Sequence, residues 1–89
     1  MKTNMKTNEL RITDSVTGQP WTAVTDEKYI TFYDGRYMHT KYGQRTSQYY
    51  ISTILDGDSG LNIDAGVPTW RISADGMTKI RSWLNEEVQ

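Results

Sequence analysis

Apolar and polar residues alternate along the first part of this chain, which is the pattern of strands that bury one face. Leu10 and Ile12 fall on one side of such a strand, and Arg11 and Thr13 fall on the other. Residues 17–20, Thr-Gly-Gln-Pro, are typical of a turn, and an apolar run follows at 21–24. The pattern therefore predicts a first β-hairpin.

A second hairpin is predicted around Asp34-Gly35, a pair that favours two-residue type I′ turns. Its strands would be residues 28–33 and 36–42, with Tyr33 opposite Arg36 and Phe32 opposite Tyr37. One face would then carry Tyr29, Thr31, Tyr33, Arg36, Met38 and Thr40. The other would carry Ile30, Phe32, Tyr37, His39 and Lys41. We expect this second face to meet a helix, because Ile30 and Phe32 make it the more apolar one.

Residues 49–55 fit two interpretations. Tyr50, Ile51, Ile54 and Leu55 have a helical spacing, whereas most of the segment is aromatic or β-branched, which favours a strand. We favour the strand and keep the helix as the alternative. A polar loop is expected at 56–65, interrupted by the Leu61/Ile63 alternation, and a short strand is expected at 69–72.

The end of the chain has the pattern of an amphipathic helix. Ser73 or Asp75 can cap its N-terminus. One apolar stripe is formed by Met77, Ile80, Leu84 and Val88, with Trp83 on its flank. The predicted fold is therefore α+β, a mainly antiparallel sheet of four to six strands with one amphipathic C-terminal helix packed on one face. We expect residues 1–8 to be a flexible leader and residues 9–89 a single domain.

Composition narrows the function classes. The chain has 89 residues and no cysteine, so it builds one core and has no disulfide, thiol nucleophile or cysteine metal site. No apolar run approaches the ~20 residues that span a bilayer. No signal-like segment follows the first residues, and we expect a cytoplasmic protein with no membrane partner.

One short motif invites a catalytic interpretation. Gly57-Asp58-Ser59-Gly60 has the letters that surround the nucleophile of trypsin-like serine proteases. Those enzymes need a histidine and an aspartate placed by a far longer chain, and small polar residues are common in surface turns. His39 is the only histidine and has no second nitrogen or sulfur ligand to join it. We therefore expect no catalytic residue and no enzymatic activity.

The acidic loop offers oxygen ligands from Asp56, Asp58, Asn62 and Asp64. A calcium loop of the EF-hand type that began at Asp56 would need glycine at Leu61 and glutamate at Val67. Neither residue matches, and a solvated loop is the favoured interpretation. We expect no metal and no cofactor.

The aromatic residues are concentrated in one segment. All six tyrosines, the only phenylalanine and the only histidine lie between residues 28 and 50. The same segment has a net charge of +3, because it contains one acidic residue, Asp34, and four basic residues, Lys28, Arg36, Lys41 and Arg45. Residues 55–68 carry three aspartates and no basic residue, a net charge of −3. These two segments predict an aromatic, basic sheet on one side of the molecule and an acidic loop on another. The alternative is that some of the tyrosines only pack under the helix, because a sheet in a small domain buries one face.

Tyrosine with arginine is the composition of protein-interface hot spots. We expect a small protein-binding module, an inhibitor or adaptor, of the kind that a phage or mobile element uses against host defences. Its predicted site is Tyr29, Tyr33, Arg36 and Met38, and it would act as a monomer or small homo-oligomer. The alternative is a protein that binds single-stranded nucleic acid through Tyr37, Lys41, Tyr42 and Arg45. A net charge of −1 and a pI near 5.7 disfavour this alternative.

Overall fold

Six strands and two helices are present in the computed structural model, which describes residues 8–37, 40–63 and 70–87. The elements are β1 (Asn8–Thr13), β2 (Pro20–Asp26), β3 (Tyr29–Asp34), β4 (Gln44–Tyr50), α1 (Ile51–Asp56), β5 (Leu61–Ile63), β6 (Trp70–Ile72) and α2 (Ala74–Glu87). Strands β1 to β4 form one antiparallel sheet in chain order, and β5 and β6 form a second sheet. The predicted α+β class with a C-terminal helix is confirmed, with the strands divided between two sheets.

The N-terminal hairpin is confirmed. Strands β1 and β2 pair antiparallel, with Leu10 opposite Ala23 and Ile12 opposite Trp21. Gly18 has a φ of +77°, a conformation that glycine adopts at little cost. Asn8, which the pattern assigned to the leader, is the first residue of β1, and residues 1–7 lie outside the described ranges.

A two-residue turn that the pattern missed joins β2 to β3. Asp26 pairs with Tyr29, so that Glu27 and Lys28 form the loop. Glu27 has a φ of 55°, the left-handed conformation that such tight turns require. Glu-Lys is not a recognised turn pair, which is why this hairpin was not predicted.

The predicted hairpin at Asp34-Gly35 is wrong. Strand β3 pairs instead with β4, with Tyr29 opposite Tyr50, Tyr33 opposite Arg45 and Asp34 opposite Gln44. The connection is longer; we call it the 35–43 loop, and the structure describes its residues 35–37 and 40–43. A type I′ turn needs positive φ at both central residues, and neither Asp34 nor Gly35 has it.

Glycine is instead required at the far end of that loop. Gly43 has a φ of +124°, and a Cβ there would lie 2.5 Å from the carbonyl oxygen of Asp34. Thr40 braces the same turn, since its hydroxyl accepts hydrogen bonds from the backbone N–H groups of Tyr42 and Gly43. The loop therefore returns to the sheet in a defined conformation.

The favoured strand at 49–55 is correct only for its first two residues. From Ile51 the chain is helical, and Ile51 and Ile54 are buried on one side of α1. Arg81 of α2 donates from Nε to the carbonyl oxygen of Ile54 at 3.0 Å and from Nη2 to that of Ser59 at 2.8 Å. A helix this short is marginal alone, and these long-range contacts stabilise its end.

One face of the four-stranded sheet packs against both helices. Trp21, Ala23, Ile30 and Phe32 are buried there together with Ile51, Ile54, Met77, Ile80 and Leu84. The expectation that the Ile30 and Phe32 face meets the helix is confirmed. Ser73 is the α2 cap, because its Oγ accepts a hydrogen bond from the N–H of Gly76 at 3.1 Å. Trp83 is half-buried on the flank, as predicted, and Val88 lies outside the described residues.

A buried carboxylate joins the first hairpin to α2. Asp14 is 1% exposed, and its Oδ2 accepts a hydrogen bond from the N–H of Ser73 at 2.6 Å. Its Oδ1 accepts from the N–H groups of Val16 at 2.8 Å and Thr17 at 3.1 Å. Burial by itself raises the pKa of Asp14, but the hydrogen bonds from Ser73, Thr17 and Val16 outweigh it and lower the pKa. The charged form is therefore the one that the fold stabilises.

The stability of the fold should depend on this charge. Because the pKa of Asp14 is lower in the folded chain, its contribution is present above the unfolded value near 4 and is lost as pH falls through the folded pKa. We expect the free energy of unfolding in urea to rise between about pH 3 and pH 6. The rise should be smaller in Asp14→Asn than in the parent or in the exposed control Asp75→Asn. An equal rise in all three chains would contradict this role.

Candidate functional site

The sheet face opposite the helices collects most of the tyrosines. Directly paired residues point to the same side of a sheet, and the register assigns to this outer face Glu9, Arg11, Thr13, Thr22, Val24, Asp26, Tyr29, Thr31, Tyr33, Arg45, Gln48 and Tyr50. Thr22 and Val24 are only 4% and 7% exposed, although they lie on this side of the sheet. They form the floor of the outer face, and larger side chains stand around them.

The pairing orders these side chains into rows that cross all or most of the strands. The first, which we call the basic row, runs through Arg11, Thr22, Tyr33 and Arg45. The next row contains Glu9, Val24, Thr31 and Gln48. The third contains Asp26, Tyr29 and Tyr50. Charge therefore changes from positive to negative along the strand direction.

A β-bulge places Arg45 in the basic row. The pairing of β3 with β4 shifts between Phe32 and Tyr33, so that Ser47 faces Phe32 while Arg45 faces Tyr33. Thr46 is the extra residue, and its hydroxyl donates to the carbonyl oxygen of Phe32 at 2.8 Å. Without the bulge the alternation of β4 would put Arg45 on the same side as Ser47 and Tyr49, toward the core.

Two tyrosine pairs stand on the outer face. The rings of Tyr29 and Tyr50 have centroids 5.1 Å apart, and those of Tyr33 and Tyr42 lie 5.3 Å apart. Tyr50 is 54% exposed. A hydrogen bond with Tyr29 raises the pKa of Tyr50, with smaller contributions from the charge of Tyr29 and from burial. The Tyr50 hydroxyl is thus neutral near pH 7 and available as a donor or acceptor.

Tyr42 comes from the 35–43 loop and forms a ridge over the sheet. Toward β1 it borders a hollow of about 240 Å³ whose charged lining residues are Arg11 and Lys41. Toward β4 it borders a hollow of about 340 Å³ lined by Tyr33, Arg45 and polar residues that include Asp26 and Gln48. Lys41 Nζ lies 5.3 Å from the centre of the Tyr42 ring. The outer face is therefore not flat: Tyr42 separates two hollows, and both are lined in part by charged side chains.

Arg36 and Tyr37 lie in a different cluster. The guanidinium carbon of Arg36 is 4.7 Å from the centre of the Trp70 ring, and its Nε is 3.7 Å from Oδ1 of buried Asp34. Tyr37 packs edge-on against Trp70 with centroids 6.0 Å apart. Gln19 donates to the same Asp34 oxygen. This arrangement holds the start of the 35–43 loop against β6.

The structure thus regroups the predicted site residues. Tyr29 and Tyr33 share the outer face, but Arg36 does not, because the hairpin that would have put it there does not form. Met38 lies outside the described residues. Of the alternative set, Tyr42 and Arg45 join the tyrosines, and Lys41 stands beside Tyr42, whereas Tyr37 is in the Trp70 cluster.

Tyr50 and Arg11, which the register places on the outer face, were missing from the predicted sites. Tyr50 was hidden in the ambiguous 49–55 segment. Arg11 had a usable signal, because it occupies a polar position of the β1 alternation, and only the strand order shows that β1 extends the tyrosine face. Its position opposite Thr22 completes the basic row.

The other motifs lie away from this face. Gly57, Asp58 and Ser59 are exposed in the loop after α1, and His39 lies outside the described ranges. Asn62 Oδ1 accepts a hydrogen bond from Arg71 Nη1 at 2.6 Å, and Asp64 is outside the described residues. Within residues 8–37, 40–63 and 70–87, no three acidic or histidine side chains are grouped as metal ligands. Neither α1 nor α2 is long and apolar enough to cross a membrane.

Comparison of the chain with protein-family models, curated proteins and solved structures gives no match.

Proposed function

We propose that this chain is a small non-enzymatic protein-binding module, an inhibitor or adaptor, that contacts its partner through the outer face of the four-stranded sheet. The observation that carries the proposal is that two packed pairs of tyrosines lie on the side of the sheet opposite the helices. These pairs are Tyr29 with Tyr50 and Tyr33 with Tyr42. Packed tyrosines offer large contact area at a low entropic cost, because each has two side-chain torsions.

The surroundings of the tyrosines support a protein partner. Hot spots are typically aromatic or arginine residues in hollows, ringed by polar residues that exclude water. Tyr33, Tyr42 and Arg45 lie in this kind of setting, above the buried floor of Thr22 and Val24. The core does not need these tyrosines on its own side, since Ile30 and Phe32 already fill it.

Charge separates this proposal from the nucleic-acid alternative. The observation in favour of nucleic acid is that Lys28 lies 5.9 Å from the Tyr29 ring and Lys41 lies 5.3 Å from the Tyr42 ring. However, Glu9 and Asp26 stand in the second and third rows of the same face. A strand of phosphates needs a dominant positive field along its path, and here these two carboxylates interrupt that field.

Partner capture with matched tyrosine variants tests the proposal. The immobilised chain is incubated with extract of the organism that encodes it, and bound proteins are identified and titrated. Tyr33→Ala should weaken capture about tenfold or more, which corresponds to about 1.4 kcal/mol. The matched control is Tyr37→Ala, an exposed tyrosine in the Trp70 cluster, which should capture the same protein with unchanged affinity.

Circular dichroism must show that both variants are folded. Equal capture by the parent, Tyr33→Ala and Tyr37→Ala would overturn the outer face as the contact surface. Loss in Tyr37→Ala alone would move the site to the Trp70 cluster.

A further inference from the structure

We infer that the partner docks an extended acidic segment across the basic row, with one carboxylate at Arg11 and another at Arg45. The inference rests on the function proposed above and adds the chemistry of the partner. It follows from the distribution of charge on the outer face, the width of the sheet and the position of the Tyr42 ridge.

Charge selects the row. The basic row has a guanidinium at each end and no carboxylate among its four residues, and Lys41 lines the same hollow as Arg11. Glu9 lies in the next row, and Asp26 lies in the third, where it also lines the hollow at Arg45. The basic row therefore attracts an acidic segment more strongly than the neighbouring row, which carries Glu9.

The internal partner of Arg11 does not block this contact. Arg11 Nε lies 3.2 Å from Glu9 Oε1, but the Arg11 side chain is 65% exposed. An ion pair with this exposure contributes little, because water and salt screen it. Arg11 can keep that contact through Nε and still present its other guanidinium nitrogens, which have the fixed fork geometry that suits a carboxylate.

The width of the sheet sets the spacing of the two carboxylates. Arg11 and Arg45 lie on the two edge strands, three strand spacings apart. At about 4.8 Å per spacing their backbones are roughly 14 Å apart. An extended chain advances about 3.3 Å per residue, so two residues four positions apart span roughly 13 Å. Those residues also point to the same side, because side chains alternate.

A helix fits this spacing poorly. At about 1.5 Å per residue, roughly nine residues cover the same distance, and residues nine apart on a helix lie on opposite sides. An extended segment is therefore the better match to two guanidinium groups on one surface.

The Tyr42 ridge specifies the residue between the acidic positions. It stands between the hollow at Arg11 and Lys41 and the hollow at Arg45, packed against Tyr33. In an extended segment the middle residue points to the same side as its two acidic neighbours and meets this ridge. An apolar side chain fits there, because it covers tyrosine rings. The inferred pattern is acidic, any, apolar, any, acidic.

Synthetic peptides test the inference with the full-length chain. The probe is a short capped peptide with two glutamates four positions apart and a leucine midway, and its control has glutamine at both acidic positions. We expect the glutamine peptide to bind about fivefold or more weakly at about 50 mM salt. The Arg11→Gln/Arg45→Gln double variant should lose affinity for the glutamate peptide to a similar degree.

A double variant of equal charge supplies the control. Arg71→Gln/Lys79→Gln removes two exposed cations from β6 and α2, away from the outer face. It should bind the glutamate peptide like the parent chain. Equal binding of both peptides, no binding of either, or equal loss in both double variants would overturn the inference. So would tighter, salt-sensitive binding of oligothymidylate that requires Arg11 and Arg45, since this would favour nucleic acid.

Capture experiments separate this inference from the proposed function. A captured protein that is lost with Tyr33→Ala and also with Arg11→Gln/Arg45→Gln supports both. A protein lost with Tyr33→Ala but retained by the arginine double variant leaves the protein-binding function in place and refutes the acidic segment.

Discussion

Phe32→Ala should lower the free energy of unfolding by about 3–5 kcal/mol, the range for removing a buried aromatic ring. Phe32 is 0% exposed, and its ring meets that of Tyr49 at 5.8 Å between centroids. The ring fills the space between the middle of the sheet and the helices, so its removal leaves a cavity that the strands cannot close. A small domain has a total stability of only about 5–15 kcal/mol, and this variant should be largely unfolded in modest urea.

Tyr33→Ala provides the matched comparison, because Tyr33 is the next residue on the same strand and points to the other side of the sheet. Its loss in urea unfolding should be clearly smaller than that of Phe32→Ala, since Tyr33 is half-buried and packs against the loop residue Tyr42. If Tyr33→Ala were the more destabilising of the two, the outer face would belong to the core and could not be the proposed contact surface.

Leu84→Ala should cost about 2–5 kcal/mol of unfolding free energy. Leu84 is 0% exposed and lies in the third turn of α2, in the same core cluster as Ile80 and Met77. Alanine has a high helix propensity, so the loss would report on packing rather than on the stability of the isolated helix.

The control for Leu84 is Ser82→Ala, an exposed position of the same helix. It should change the free energy of unfolding by no more than about 0.5 kcal/mol. Urea titrations followed by circular dichroism measure both variants. A loss below about half a kcal/mol for Leu84→Ala would mean that α2 does not pack on the sheet as described.

The candidate site was only partly predictable. Tyr29 and Tyr33 were placed on the face opposite the helix from the alternation with Ile30 and Phe32, because a side-chain period of two needs only local sequence. Arg45 was in the alternative set for its charge, and nothing local indicates that a bulge would set it beside Tyr33. The basic row combines residues of four strands, and the order of the strands is needed to see it.

The sequence by itself determined the elements whose signals are local. These are the β1–β2 hairpin, the inward face of β3, and α2, for which the sequence offered Ser73 or Asp75 as the cap. Each follows from periodicity, turn residues or capping chemistry within a few positions.

Only the tertiary structure decided the partner of β3 and the helical state of residues 51–56. Asp34-Gly35 has the letters of a tight turn, but the buried Asp34 carboxylate accepts hydrogen bonds from Gln19 and from the N–H of Arg36, which keeps Asp34 inside the sheet. Residues 51–56 contact α2, and the carbonyl oxygen of Ile54 accepts a hydrogen bond from Arg81, which is 27 residues away in sequence. These choices depend on contacts between distant parts of the chain, whose free energies exceed the local preferences that a sequence pattern reports.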